Sequence, residues 1–191
     1  MMILASASPR RKEILGEIVE EFEIIPAKGE EDAKGAVTPE AVVKALAEQK
    51  AREVASMPCA KGKTVLGADT VVALDGEILG KPKDEADAYR MLSALSGRTH
   101  EVYTGVCVVS PTGEVRTEAD CTKVRFCALT EEAIRAYIRT GSPMDKAGAY
   151  GIQDGGLVES IDGSFSNVMG LPVELCKEMI EIVLKLTADK Q

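Results

Sequence analysis

The sequence has no tryptophan, a single histidine, and only 4% aromatic residues among its 191. One imidazole, His100, excludes a metal centre built from several histidines. The five cysteines (Cys59, Cys107, Cys121, Cys127 and Cys176) are odd in number and contain no Cys-x-x-Cys pair. That argues against a disulfide framework and a zinc site, and predicts free thiols in a reducing cytoplasm. Long apolar runs are missing too: residues 2–5 (MILA) stop at Ser6, too short for a signal-peptide core or a membrane span. Positive charge is in deficit, with 23 Lys and Arg against 31 Asp and Glu and a formal net charge of −8. General nucleic-acid binders draw much of their affinity from basic clusters, so no nucleic-acid partner is expected. A small anion needs only a local cationic pocket, which net charge does not forbid.

With 45% hydrophobic residues, and neither repeats nor low-complexity stretches, the chain reads as an ordinary globular protein. Its length predicts one domain over 1–191, with two lobes and a cleft between them. Residues 2–5 read as a short buried strand. Ser8-Pro9 then opens a helix, serine as N-cap and proline in the first turn, with Ile14, Leu15, Ile18, Val19 and Phe22 as its apolar face. A second strand is expected at 23–26. Thr38-Pro39 repeats the helix start, leading to about Val54 with Val42, Val43, Leu46 and Val54 inward. Residues 64–74 (TVLGADTVVAL) are the most strand-like run, turned back by Asp75-Gly76 into 77–79 as a hairpin. Asp84 caps a helix that Gly97 stops near Ser96, strands follow at 100–109 and 115–127, and Thr130 caps a helix to Arg139. A glycine-rich passage at 148–170 precedes a last amphipathic helix from Pro172 to about Leu186. Hairpins mixed with crossovers predict an α/β fold with a mixed sheet flanked by helices.

Four segments carry chemistry. In Ser6-Ala7-Ser8-Pro9-Arg10-Arg11, backbone N–H groups, two hydroxyls, a helix N-terminus and two guanidiniums converge, which suits an anion. Arginines in a first turn oppose the helix dipole, so something negative is expected to offset them. Asp69 stands in the middle of the apolar strand, where a carboxylate is costly unless paired or bound to a metal; small neighbours Gly67 and Ala68 are read as room for a ligand. Lys81, in Gly80-Lys81-Pro82, is either held near that strand by the rigid turn or a solvated loop lysine; Lys50 on the second helix points toward the same cleft or toward water; and Glu31 belongs to an acidic run that reads as exposed loop or as one of the non-sequential carboxylates a magnesium site needs. The run 96–105 contains His100, either an imidazole base or a half-buried strand histidine. Finally Asp145-Lys146-Ala147-Gly148-Ala149-Tyr150-Gly151-Ile152-Gln153 combines an ion pair, small residues and an amide whose donor and acceptor can read a base edge.

In order, SASPRR, GADT, GKPKD, SGRTHEVYTG, DKAGAYGIQ and NVMGLP resemble the Maf family of nucleotide pyrophosphatases over nearly the whole chain, from about Ile3 to Leu186. Any one motif is weak, but six in register are specific. The resemblance implies an elongated α/β structure of the inosine triphosphate pyrophosphatase type with a central cleft, a homodimer, and a divalent cation, Mg2+ or Mn2+. It implies hydrolysis of nucleoside triphosphates to monophosphate and pyrophosphate. The DKAGAYGIQ form is similar to the branch acting on dTTP and UTP rather than the 7-methyl-GTP branch. By the same resemblance Asp69 matches the family's catalytic carboxylate, Arg10, Thr70 and Gln153 match positions associated with substrate choice, and Ser6, Arg11, Glu31, Lys50 and Lys81 match the surrounding phosphate and metal site. Ser8 joins the substrate-binding set through its hydroxyl, and Asp69 and Glu31 form the metal-binding pair. The loop after Gln153 (DGGLVESIDGS) is about two residues shorter than the family pattern. The rival reading from another class is a non-catalytic nucleotide-binding regulator, for instance of cell division; within enzymes the runner-up is a pyrophosphatase for 7-methyl-GTP or other modified nucleotides.

Overall fold

A computed structural model describes residues 1–188; the last three residues of the span expected to form one domain lie outside them. The chain runs β1 (Met2–Leu4), α1 (Pro9–Gly16), β2 (Phe22–Ile24), α2 (Pro39–Ala55), β3 (Thr64–Leu74), β4 (Glu77–Leu79), α3 (Glu85–Leu95), β5 (Thr99–Val109), β6 (Val115–Phe126), α4 (Glu131–Ile138), β7 (Val158–Asp162), α5 (Phe165–Met169) and α6 (Val173–Ala188), with single 3-10 turns between. The start signals act as expected: Ser8, Thr38, Asp84 and Thr130 each accept a backbone N–H with their side chain at the head of α1, α2, α3 and α4. Asp75 and Gly76, both at positive φ, make the two-residue turn from β3 to β4.

One mixed seven-stranded sheet has the order β2-β1-β3-β5-β6-β7, with β4 also pairing β3. β1 lies parallel to both β2 and β3, and the remaining pairs are antiparallel. Along one edge of β3, β1 covers residues 64–66 and β4 covers 72–74. Among the described residues, 67–71 therefore have no strand on that side, and the cleft described below opens there.

Side chains alternate across β3, so each face meets different helices. Val65 faces Ala47, Ala51 and Val54 of α2. Leu66 and Ala68 face α1 and α6, whereas Val72 and Leu74 pack with α3 and α4. The helix α2 lies unusually close to the sheet because two glycines lack a side chain beneath it. A Cβ on Gly67 would meet Ala47 O at 2.5 Å, and one on Gly105 would meet Val43 O at 2.3 Å.

Several expectations need correction. Gly67 makes room for α2 rather than for a ligand, and Ala68 is fully buried on the opposite face. The inward stripe of α2 is Val43, Leu46, Ala47, Ala51 and Val54, with Val42 only half-buried, because close helix-to-sheet packing selects small residues. α1 ends at Gly16, so of its expected apolar face only Ile14 and Leu15 lie on it while Ile18 and Val19 follow it, and the second strand starts at Phe22, one residue before the expected 23–26, and ends at Ile24. The glycine-rich passage 148–170, for which the pattern indicates no element, contains β7 and α5. Among the described residues no helix is long and apolar enough to cross a membrane.

Candidate active site

The cleft, about 660 Å³, is lined by all ten candidate residues: Ser6, Ser8, Arg10, Arg11, Glu31, Lys50, Asp69, Thr70, Lys81 and Gln153. They come from the β1–α1 connection, the loop after β2, α2, β3, the loop after β4, and the turn following Tyr150. The sequence scatters them over some 150 positions, and the gap between β1 and β4 gathers them.

Asp69 and Thr70 are neighbours on β3 and so point to opposite faces of the sheet. Asp69 points toward α2, where Lys50 Nζ donates to its Oδ1 at 2.6 Å. The same ammonium lies 2.8 Å from Glu31 Oε1. Gln49, adjacent on α2, holds the loop that carries Glu31 by donating to Glu30 O at 2.6 Å and accepting from Asp32 N at 3.0 Å. Gly105, opposite Asp69 in register, is one of the two glycines that admit α2, so the close helix and the Lys50–Asp69 contact have one cause. The hydrogen bond from Lys50 and the positive charges of Lys50, Lys81 and Arg11 hold the Glu31 carboxyl below its ordinary pKa.

Thr70 points the other way, toward Arg11. Arg11 Nη2 donates to Thr70 Oγ1 at 3.0 Å, Nη1 to Ser6 Oγ at 3.3 Å, and Nε to Gly170 O at 2.8 Å. Burial lowers the pKa of this guanidinium and the Asp69 charge opposes that shift; an arginine stays cationic throughout. Ser6 Oγ also accepts from Ser8 N at 3.2 Å, which shapes the bend into α1. Arg10 reaches Asp145 at 3.6 Å. The charges that oppose the α1 dipole are thus offset within the protein, by carbonyl, hydroxyl and carboxylate oxygens.

Lys81 and Gln153 line the cleft from the loop after β4 and from the turn following Tyr150. Gln153 is exposed on its turn. Tyr137 of α4 pins the turn: its hydroxyl accepts from Gly151 N at 3.0 Å and donates to Asp154 Oδ2 at 2.6 Å.

Sequence reasoning passed over Lys146 and Tyr150 as site residues, although both line the cleft. Lys146 is buried, donating to Ser142 O at 2.6 Å and Asp145 Oδ1 at 2.8 Å. The Asp145-Lys146 pair directly before the small residues Ala147, Gly148 and Ala149 was the available signal. His100 is absent from the cleft wall. It is 2% exposed, its Nε2 lies 2.8 Å from Tyr150 Oη, and its ring packs edge-on against Phe126 and Tyr150. Burial drives its pKa down to about 4, which marks a neutral core histidine rather than a base presented to a ligand.

Among the described residues there is no group of three or more His, Cys, Asp or Glu able to hold a metal by themselves. Two carboxylates, Asp69 and Glu31, share one side of the cleft, and an oxygen-only pair of this kind suits a hard divalent cation that keeps water and takes phosphate oxygens as its other donors. The residues present fit a cation that arrives with a phosphate ligand and not a dedicated protein cage.

A mixed α/β sheet interrupted by a cleft, with the carboxylate of an interior strand paired to an ammonium and guanidinium groups lining the same cleft, is an arrangement suited to a polyanion. Residues 1–183 match the family described as Maf-like protein, and the chain belongs to that family. A dTTP/UTP pyrophosphatase from Thermococcus gammatolerans is 52% identical over 184 residues, 95% of this chain and 96% of that one. Another from Clostridium perfringens is 50% identical over 186 residues, 94% of this chain and 95% of its own length. Among solved structures, the Staphylococcus aureus Ham1 protein aligns with a TM-score of 0.53 at 15% identity, covering 94% of this chain and 97% of that one, a likeness of fold.

Proposed function

We propose that this chain is a nucleoside triphosphate pyrophosphatase that cleaves the α–β phosphoanhydride bond of dTTP and UTP, and of modified pyrimidine nucleotides, releasing the monophosphate and pyrophosphate. The names of relatives at 50–52% identity over nearly the whole chain support the activity and the substrates. The observation that carries the reading is Asp69, side chain 12% exposed, set in one cleft with Arg10, Arg11, Lys50 and Lys81. A protein that only bound an anion would gain nothing from a carboxylate there, which speaks against the regulator.

In this reading Arg10, Arg11, Lys50 and Lys81 bind the polyphosphate and spread the charge of the departing pyrophosphate. Ser6 and Ser8 shape the backbone that receives it. Water attacks the α-phosphorus in line, and Asp69, its Oδ1 held by Lys50, orients that water and takes its proton. Thr70 and Gln153 act in substrate choice, Gln153 by hydrogen-bonding the pyrimidine edge. Asp69 and Glu31 would hold Mg2+ or Mn2+, which when bound supplies Lewis-acid neutralisation of phosphate charge. The chain works as one domain, as a homodimer, in the cytoplasm, on a small-molecule nucleotide with no nucleic-acid partner.

The test is Asp69→Asn, nearly isosteric, with pyrophosphate release from dTTP as the readout. A fall of at least about a hundredfold is expected; retention within about tenfold, ~1.4 kcal/mol of barrier, refutes the assignment. Chelation with EDTA abolishes release, and a panel of triphosphates separates pyrimidine from 7-methyl-GTP preference.

A further inference from the structure

Thr104 lies outside the cleft, fully buried in the middle of β5, yet its hydroxyl is two hydrogen bonds from the Arg11 guanidinium. The contacts close a ring. Arg11 Nη2 donates to Thr70 Oγ1, and Thr70 Oγ1 lies 2.9 Å from Thr104 Oγ1. Thr104 Oγ1 donates to Asn167 O at 2.9 Å, and Gly170 N donates to the same carbonyl at 2.9 Å. Gly170 O then accepts from Arg11 Nε at 2.8 Å. The ring is closed by the left-handed residue that ends α5: Gly170 has φ 110°, a conformation that favours glycine.

The direction of each proton follows from one carbonyl. Two oxygens 2.9 Å apart need a hydrogen between them, and between Thr104 and Asn167 O only the hydroxyl can supply it. Thr104 has no second proton, so Thr70 must donate to Thr104. Thr70 in turn has no proton left for the cleft and presents a lone pair, which is what Arg11 Nη2 requires. Three of the five guanidinium N–H groups are thereby fixed, on Gly170, Ser6 and Thr70, and the remaining two, one on each terminal nitrogen, are free to meet phosphate oxygens in a set plane.

We propose that Thr104 is a positioning residue for Arg11: by consuming the Thr70 proton it keeps Thr70 an acceptor and holds the guanidinium plane before any phosphate arrives. Fixed donors stabilise developing charge without reorganisation at the moment of reaction, so the benefit falls on turnover more than on substrate binding. The proposal rests on the nucleotide reading of the cleft only for its kinetic part.

Thr104→Val removes the hydroxyl at nearly constant volume, and Asn167 O retains the Gly170 N–H, so the fold is kept; Thr104→Ser restores the hydroxyl. The first measurement is hydrogen exchange of the Arg11 Nε–H by NMR without nucleotide, the signal assigned by its loss in Arg11→Lys. Exchange at least about tenfold faster in Thr104→Val, and within about threefold of wild type in Thr104→Ser, is expected from loss and restoration of the clamp. Unchanged protection in Thr104→Val overturns the proposal. The second is pyrophosphate release from dTTP: kcat falls about tenfold in Thr104→Val with KM within about threefold, and Thr104→Ser recovers. Wild-type kcat in Thr104→Val, or a Thr104→Ser variant as slow as Thr104→Val, overturns it. A wild-type protein that releases no pyrophosphate from any triphosphate refutes the proposed function instead, and the exchange measurement still decides the role of Thr104.

Discussion

Replacing Gly105 by alanine tests whether the close seat of α2 makes the site. The added Cβ would sit 2.3 Å from Val43 O, 2.4 Å from Val43 C and 2.8 Å from Lys44 N, all backbone atoms that no side-chain rotation can move. Ordinary carbon contacts lie near 3.5–4.0 Å, so the helix must lift by roughly 1 Å or the strand must bow. Overpacking of a core contact costs about 1–3 kcal/mol, and backbone on both sides places this case at the upper end. For a chain of this size that corresponds to a fall in Tm of about 4–12 °C. Lys50 rides on the same helix, one turn beyond Leu46, and a displacement near 1 Å stretches its 2.6 Å contact with Asp69; misplacement on that scale can cost about a hundredfold in turnover. Thermal melting and pyrophosphate release from dTTP are measured together, with Gly16→Ala as the control. Gly16 ends α1 with nothing within 4 Å of a Cβ and no positive φ, so alanine there is neutral or stabilising by up to ~1 kcal/mol. A Gly105→Ala protein that melts within about 1 °C of wild type and turns over normally refutes the reasoning.

Gln153→Ala is expected to compress the relative rates for UTP, CTP and GTP while the rate on dTTP falls by less than about tenfold; unchanged ratios remove Gln153 from base reading. His100 gives a pH dependence with a definite sign. Its folded pKa of about 4 lies below the ordinary 6.5, so the unfolded chain takes up the proton first. Its contribution is complete above pH 6.5 and is lost as pH falls toward 4, at most ~3 kcal/mol. His100→Gln, which cannot titrate, flattens that part of the stability curve measured by urea unfolding between pH 7 and 4.5. Equal slopes for the two proteins would show that the histidine is not held neutral.

Much of the fold is local in origin and therefore legible. Caps such as Ser8, Thr38 and Asp84 bind N–H groups three residues away, the Asp75-Gly76 turn needs only its own backbone angles, and alternation along 64–74 requires no partner. The site residues were legible because their chemistry conflicts with their surroundings, as Asp69 does in an apolar strand and Arg10 and Arg11 do at a helix head. The passage 148–170 was not. Its glycines gave no element pattern, whereas Gly148 fits against Val72 and Gly163 against Thr122, and β7 forms because β6 offers it an edge. The small residues Gly67 and Ala68 were assigned to a ligand for the same reason: sequence shows that a side chain is missing, not what fills the space.

The sequence by itself determined the elements, the deficit of positive charge outside a few motifs, and the list of residues able to meet a phosphate. Only the tertiary structure decided how they face one another: that Asp69 turns to Lys50 while Thr70 turns to Arg11, and that Arg11 is held by groups 59 and 159 residues away. Periodicity and capping act over a few residues and are written in the local pattern. Hydrogen bonds between distant segments depend on ångström-scale packing, here the approach of one helix over two glycines, and that distance exists only once the core has closed.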